Sequence, residues 1–168
     1  MIGLLVIQAL RVAGCSQIIA VDIDDQRLEL ANRVGADVCF KGTQSEAVQL
    51  VNDRTNGLGA DLAYEVVGLT SAFQLALNGL RKGGSLILVG NISPQVSLPL
   101  QSAVTRELTL YGSCASQGEY PACLEMILRG AINVEVLISA VVPLAEGASW
   151  FKRLYEKEAG LMKVLLCP

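Results

Sequence analysis

Gln17-Ile18-Ile19-Ala20-Val21-Asp22-Ile23-Asp24-Asp25 decides the fold. An apolar, β-branched run that stops on a carboxylate reads as a short strand over Gln17 to Val21. From about Asp25, Leu28, Ala31 and Val34 share one helical face, and Gly35 ends the helix. Upstream, the apolar residues from Ile2 to Ala13 run nearly all the way round a helix, which predicts a helix buried on most sides and stopped by Gly14. Downstream, the alternation continues. A strand over Asp37 to Phe40 precedes an amphipathic helix over Ser45 to Thr55 and a Gly57-Leu58-Gly59 turn. A strand over Asp61 to Val67 follows, then a helix over Thr70 to Leu80, closed by Arg81-Lys82-Gly83-Gly84. There the cations suit the negative end of the helix dipole and the glycines break the helix. Ser85 to Val89 has an apolar interior and predicts a strand covered on both faces. An irregular Asn91 to Leu98 stretch leads to a short helix near Pro99 and a strand over Leu108 to Gly112. Strands separated by helices in this way require a parallel sheet with right-handed crossovers.

The remaining residues predict a helix over Tyr120 to Leu128, an extended segment over Val136 to Val142, a helix over Ala145 to Lys157 and a last strand over Lys163 to Leu166. Strict alternation ends near Ser113 to Gly118, so residues 1–115 and 116–168 are expected to be distinct parts.

Composition agrees with this class. Of 168 residues 52% are hydrophobic and only 5% aromatic, so the apolar weight lies in the aliphatic residues that fill a covered parallel sheet. The net charge of −3 gives no attraction for nucleic acid or an anionic membrane. The apolar stretch from Met1 stops at Arg11, well short of the roughly 20 residues a membrane-spanning helix needs. Val12-Ala13-Gly14-Cys15 imitates a lipoprotein cleavage box, but the run before it lacks the basic start of a signal peptide. The 5 cysteines (Cys15, Cys39, Cys114, Cys123 and Cys167) form no CxxC pair, and an odd number closes no disulfide set. Reduced thiols in a cytoplasmic protein are expected. With 0 histidines, the chain lacks the commonest zinc ligand and the usual general base.

Candidate ligand contacts follow from the strand ends. In a dinucleotide fold the third glycine of GxGxxG allows close helix-to-strand packing. If Gly3 holds that place, the first strand and the first two glycines are expected before Met1; the plain alternative is a helix glycine that serves packing alone. Asp22 ends the next strand, where a carboxylate accepts hydrogen bonds from the adenosine ribose hydroxyls and repels a 2′-phosphate, favouring NAD over NADP. The bland alternative is that Asp22, with Asp24 and Asp25, only caps the following helix. Arg27 is close enough along the helix to reach the same ribose. Val66-Val67-Gly68 and Val89-Gly90-Asn91 follow two further strands at the carboxyl ends, where open parallel sheets place ligands. Glycine and small apolar residues there would let a nicotinamide ring lie against backbone whose carbonyls bind the carboxamide.

Asp22-Ile23-Asp24-Asp25, Gly35-Ala36-Asp37, Tyr64-Glu65-Val66-Val67-Gly68 and the Arg81 to Gly90 stretch together resemble the cofactor half of zinc-dependent medium-chain alcohol and polyol dehydrogenases. Gly90-Asn91-Ile92-Ser93, Leu98-Pro99-Leu100-Gln101, Thr105-Arg106-Glu107-Leu108 and Gly112-Ser113-Cys114-Ala115-Ser116 are similar to the polyol branch, particularly its galactitol-1-phosphate and sorbitol dehydrogenase-like members. The resemblance covers the whole chain. It implies an α/β, Rossmann-like, doubly wound parallel sheet lacking its first strand, with residues 1–115 as an incomplete NAD-binding domain. Residues 116–168 would be a C-terminal segment packing back toward a catalytic domain. It further implies hydride transfer between a polyol or other secondary alcohol and NAD, with zinc polarising the alcohol oxygen. Ser113, Cys114 and Ala115 match the segment facing the carboxamide, and Lys163 matches a basic residue that reaches the cofactor phosphates. A solvated lysine opening a strand is the plain alternative for Lys163.

The family's zinc ligands and proton relay belong to an N-terminal catalytic part with no counterpart here, so no zinc and no catalytic residue are expected in this chain, and the chain alone is expected to be inactive. A homodimer through the edge strand is the expected assembly. Two rivals stand beside this reading: a methyltransferase binding S-adenosylmethionine, which also uses an acidic residue after its second strand, and a remnant that only binds nucleotide or dimerises.

Overall fold

The computed structural model describes residues 1–168. Helix α1 (Ile2–Val12) leads into strand β1 (Ile19–Val21), helix α2 (Asp25–Arg33) and strand β2 (Val38–Phe40). Helix α3 (Gln44–Arg54), strand β3 (Ala60–Glu65), helix α4 (Thr70–Asn78) and strand β4 (Leu80–Leu88) continue the alternation, followed by helix α5 (Leu100–Thr105) and strand β5 (Thr109–Gly112). The last third contains helix α6 (Tyr120–Leu128), strand β6 (Ile138–Pro143), helix α7 (Gly147–Tyr155) and strand β7 (Lys163–Cys167).

Every strand pairing is parallel, as the alternation requires. The strands nevertheless form three separate ladders, β1-β2, β3-β4-β5 and β6-β7. In the doubly wound order 3-2-1-4-5-6 the first strand lies between the second and the fourth. The break between β1 and β3 is where that strand belongs, and one side of each bounding strand carries no ladder partner. The core is divided in the same way. Leu4 and Ile7 of α1 pack with Ile18, Ala31, Ala36 and Leu137 in one cluster, and Phe73, Leu77, Leu80 and Leu86 form another.

Local sequence explains the elements. Asp24 caps α2 by accepting the Gln26 and Arg27 amides, and Thr43 with Glu46 closes a capping box on α3; a cap of this kind stabilises a helix by about 1 kcal/mol. Arg11 ties α1 to the turn before β2, donating to the Gly35 carbonyl at 2.6 Å and pairing with Asp37, whose Oδ2 also accepts the Ile18 amide at 2.7 Å.

Several expectations need correction. Arg81-Lys82-Gly83-Gly84 does not close a helix: α4 ends at Asn78 with Gly79 as its cap, and β4 already begins at Leu80. Across that stretch the register jumps from Ala60↔Leu80 to Leu62↔Ser85, a bulge that turns Arg81 to Asp61 (2.6 Å) and Lys82 to Glu107 (2.9 Å) instead of toward helix carbonyls. Helix α1 is not buried on most sides; only Leu4, Ile7 and Gln8 are buried, because its apolar circumference meets cover on one side only. Ser85 to Val89 is likewise not covered on both faces: Leu86 is inaccessible, whereas Ser85, Ile87, Leu88 and Val89 are only half-buried. The extended segment starts later than expected, after a 3-10 turn at Glu135–Leu137, and a second 3-10 turn at Leu144–Glu146 precedes α7, which begins at Gly147.

Residues 116–168 are anchored to α1. Leu137 joins the α1 cluster, Met162 packs beside it, and the buried Gln8 side chain donates to the Asn133 carbonyl at 3.0 Å while accepting the Asn133 amide at 2.7 Å. By contrast α6 buries no residue, and Leu128 is 87% exposed.

Candidate functional site

Because β1, β3, β4 and β5 run in parallel, their carboxyl ends lie at the same end of their ladders, and most of the candidate residues follow these ends. Asp22 comes directly after β1, its amide donating to the Phe40 carbonyl at 3.3 Å. Capping of α2 falls to Asp24, not Asp22. Asp22 Oδ1 accepts only the Asp24 amide, at 3.1 Å, and Oδ2 has no hydrogen-bond partner, so a one-third-exposed carboxylate keeps an acceptor for a ligand. Arg27 leans over this carboxylate, 3.9 Å from Oδ1, and lies 3.7 Å from Asp24. The start of α1 meets the same place. Burial, then the Arg27 charge, holds the Met1 amino group below its usual range, with Asp22 opposing.

Gly3, in the first turn of α1, faces the residue after β3: a Cβ built there would stand 3.3 Å from Val66 Cγ2. The glycine thus permits close approach of α1 to the end of β3. The loops after β3 and β4 interlock. The Val89 and Gly90 amides both donate to the Glu65 carbonyl at 2.9 Å, and the Ser93 amide to the Gly68 carbonyl at 2.9 Å. Gly68 is buried with φ +84, and a Cβ there would stand 2.5 Å from the Asn91 and Ile92 nitrogens; one on Gly90 would fall inside the Val67 and Gly68 backbone. Val66, Val67, Gly68, Val89, Gly90 and Asn91 are therefore one unit.

Ser113 extends that unit, its amide donating to the Leu88 carbonyl at 2.9 Å. Cys114 and Ala115 follow it, exposed, with Ala115 in left-handed conformation at φ 52. Lys163 is the outlier: it opens β7 in the separate β6-β7 ladder, exposed and without an ion-pair partner, while its neighbour Met162 packs on the α1 cluster. Sequence reasoning overlooked Glu65 as a member of the site. Nothing in the sequence marked it, since β3 also carries Asp61 and only burial makes a carboxylate costly unless it is hydrogen-bonded.

The donor set does not fit zinc. No group of three or more His, Cys, Asp or Glu residues stands close enough to hold a metal ion, and all 5 cysteines are free and scattered. Cys39, half-buried, has its thiol pushed up by burial, the opposite of what a metal-binding thiolate needs.

Comparison with known proteins decides the family. The model described as zinc-binding dehydrogenase matches residues 2–129. The chain belongs to the zinc-binding dehydrogenases. L-idonate 5-dehydrogenase of Vitis vinifera is 34% identical over 143 residues, which cover 82% of this chain and 39% of the relative. D-arabitol-phosphate dehydrogenase of Enterococcus avium is 33% identical over 159 residues, covering 92% and 45%. The structure of alcohol dehydrogenase TADH from Thermus sp. ATN1 superposes with a TM-score of 0.87 at 33% identity, covering 98% of this chain and 47% of that one. This dehydrogenase chain thus spans less than half the length of these relatives. Family membership also displaces the methyltransferase alternative. No helix of the chain is long and apolar enough to cross a membrane.

Proposed function

We propose that this chain is the NAD-binding part of a dehydrogenase that moves hydride between a polyol or other secondary alcohol and NAD. The observation that carries the reading is Asp22. It stands at the end of β1 beside the start of α1, is relieved of capping duty by Asp24, and has an unpartnered oxygen. A carboxylate so placed accepts hydrogen bonds from the 2′- and 3′-hydroxyls of an adenosine ribose and opposes a 2′-phosphate. Arg27, which already leans toward Asp22, would border the same ribose.

NAD, when bound, supplies the hydride-accepting ring. The chain's own residues position it. Gly3 lets the amino end of α1 come close to the sheet, where amide groups and the helix dipole suit a pyrophosphate. Val66 to Gly68 and Val89 to Asn91 offer the nicotinamide a wall of backbone, and Ser113, Cys114 and Ala115 continue it. Lys163 would assist only by reaching the phosphates from β7. In the complete enzyme zinc would be held by the catalytic part, and residues 116–168, anchored by Leu137 and Gln8, would form the surface facing that part. β5 is the outer strand of its ladder and Tyr111 on it is 55% exposed, which favours pairing with a second copy along that edge.

The test is titration of the chain with NADH, NADPH and S-adenosylmethionine, repeated with Asp22→Ala. NADH should bind best, and the variant should lose NADH affinity about tenfold while NADPH changes less, the expected loss for hydrogen bonds to a charged acceptor. Equal weakening of both nucleotides would remove the ribose role. The reading of the chain as only a nucleotide-binding or dimerising remnant predicts the same binding with no alcohol oxidation after reunion with a catalytic part.

A further inference from the structure

We infer that Glu65 is the positioning residue of the nicotinamide end of the site, a role that rests on the proposed cofactor reading. Gln8 and Glu65 are the chain's two buried polar side chains, and Glu65 is only 4% exposed. Removing a carboxylate from water is costly unless its oxygens are satisfied. No lysine or arginine pairs with it. Backbone amides take that place. Glu65 Oε1 accepts the Val67 and Gly68 amides, each at 2.8 Å, and Oε2 accepts the Gly68 amide at 3.0 Å. Its main-chain carbonyl holds the Val89 and Gly90 amides of the neighbouring loop. One residue therefore gathers the amides of both loops.

The orientation of those loops follows. In a trans peptide the carbonyl points opposite to the amide of the same unit. With the Val67, Gly68 and Gly90 amides turned onto Glu65, the carbonyls of Val66, Val67 and Val89 face away from it, and none of the three accepts a backbone hydrogen bond. None of the three residues is fully buried, and their carbonyls are not taken up by the chain's own backbone. They suit the two N–H donors of a carboxamide. Asp22 serves the other end of the dinucleotide, so the two carboxylates divide the work: Asp22 contacts the ligand, whereas Glu65 acts only through the backbone it holds.

The test uses the full chain with NADH and with ADP-ribose, which has the adenosine and both phosphates but no nicotinamide. Glu65→Ala should weaken NADH about tenfold, the loss of a well-placed hydrogen bond, while ADP-ribose stays within about twofold. Amide hydrogen exchange at Val67 and Gly68 should accelerate more than about tenfold once their acceptor is gone. Glu65→Gln, which keeps the Oε1 acceptor and the side-chain volume, should retain both the NADH preference and most of the protection, and it guards against a variant that fails to fold. Equal loss of both ligands in Glu65→Gln, or unchanged exchange and an unchanged NADH to ADP-ribose ratio in Glu65→Ala, would overturn the assignment. Failure of the unsubstituted chain to bind NADH or ADP-ribose would instead overturn the cofactor reading, and with it the nicotinamide role, leaving exchange to judge the loop anchoring by itself.

Discussion

Gly68→Ala separates two physical costs that three glycines of this chain present in turn. At Gly112 a Cβ meets nothing within 4 Å and the backbone is not left-handed, so Gly112→Ala in β5 should leave stability unchanged or raise it by up to about 1 kcal/mol. At Gly57 the space is equally open but φ is +80, so Gly57→Ala should cost about 1–2 kcal/mol for left-handed backbone alone. Gly68 combines φ +84 with a Cβ position 2.5 Å from two backbone nitrogens, atoms that no rotamer change can move. Adding an overpacking cost of about 1–3 kcal/mol gives about 2–5 kcal/mol. In a chain of this size each kcal/mol lowers Tm by about 2–4 °C, so a mid-range loss near 3.5 kcal/mol corresponds to about 7–14 °C. Thermal melting followed by far-ultraviolet circular dichroism, on the three variants side by side, measures the order. If Gly68→Ala melts no lower than Gly57→Ala, the two loops are not wedged together and the account of the site as one interlocked unit is wrong.

Two other perturbations probe what holds the molecule together. Gln8→Ala strands the Asn133 amide and carbonyl without their side-chain partner, and should destabilise by about 1–3 kcal/mol; chemical denaturation gives the value, and a loss below half of the lower bound would mean that water replaces the clamp freely. Asp37 is held below the usual carboxylate range by its hydrogen bond from Arg11 and then by the Ile18 amide. A depressed folded pKa contributes stability that is present above the unfolded pKa and lost as pH falls through the folded one. Tm should therefore hold from neutral pH down to the ordinary aspartate range and fall below it, and Asp37→Asn should melt lower at neutral pH with a shallower acid limb. An acid limb as steep as that of the unsubstituted protein would assign the fall to Glu46, Glu119 and Glu158, which are depressed as well.

Much of this was legible in the residues themselves. Strand-helix alternation gave the parallel pairings, because Ile19 to Val21 and Ser85 to Leu88 have no other way to bury aliphatic side chains between helices. The place of Asp22 directly after β1 was legible from the apolar run that stops on it, and Asp24 proved to be the residue that caps α2. What misled was the assumption of full cover. The round apolar pattern of α1 and the apolar interior of Ser85 to Val89 suit elements packed on every side, whereas here cover is partial. The Arg81 to Gly84 stretch misled differently: glycines and cations look alike at a helix end and in a strand bulge, and only the pairing of β4 with β3 distinguishes them. Glu65 was invisible because its role depends on loop amides that fold back onto it, a relation between backbone groups that side-chain identity does not encode.

The interruption between β1 and β3 reaches beyond ligand binding. The two clusters of buried residues on either side of it are bridged by packed helices and not by a ladder: Gly3 of α1 comes up to Val66 after β3, and α3 packs on α4. A parallel ribbon wedged into that slot would satisfy two rows of amides and carbonyls at once and join the ladders on either side. On the sides facing the break, β1 and β3 each present a row of amides and carbonyls without a ladder partner, the kind of edge that takes up a neighbouring strand.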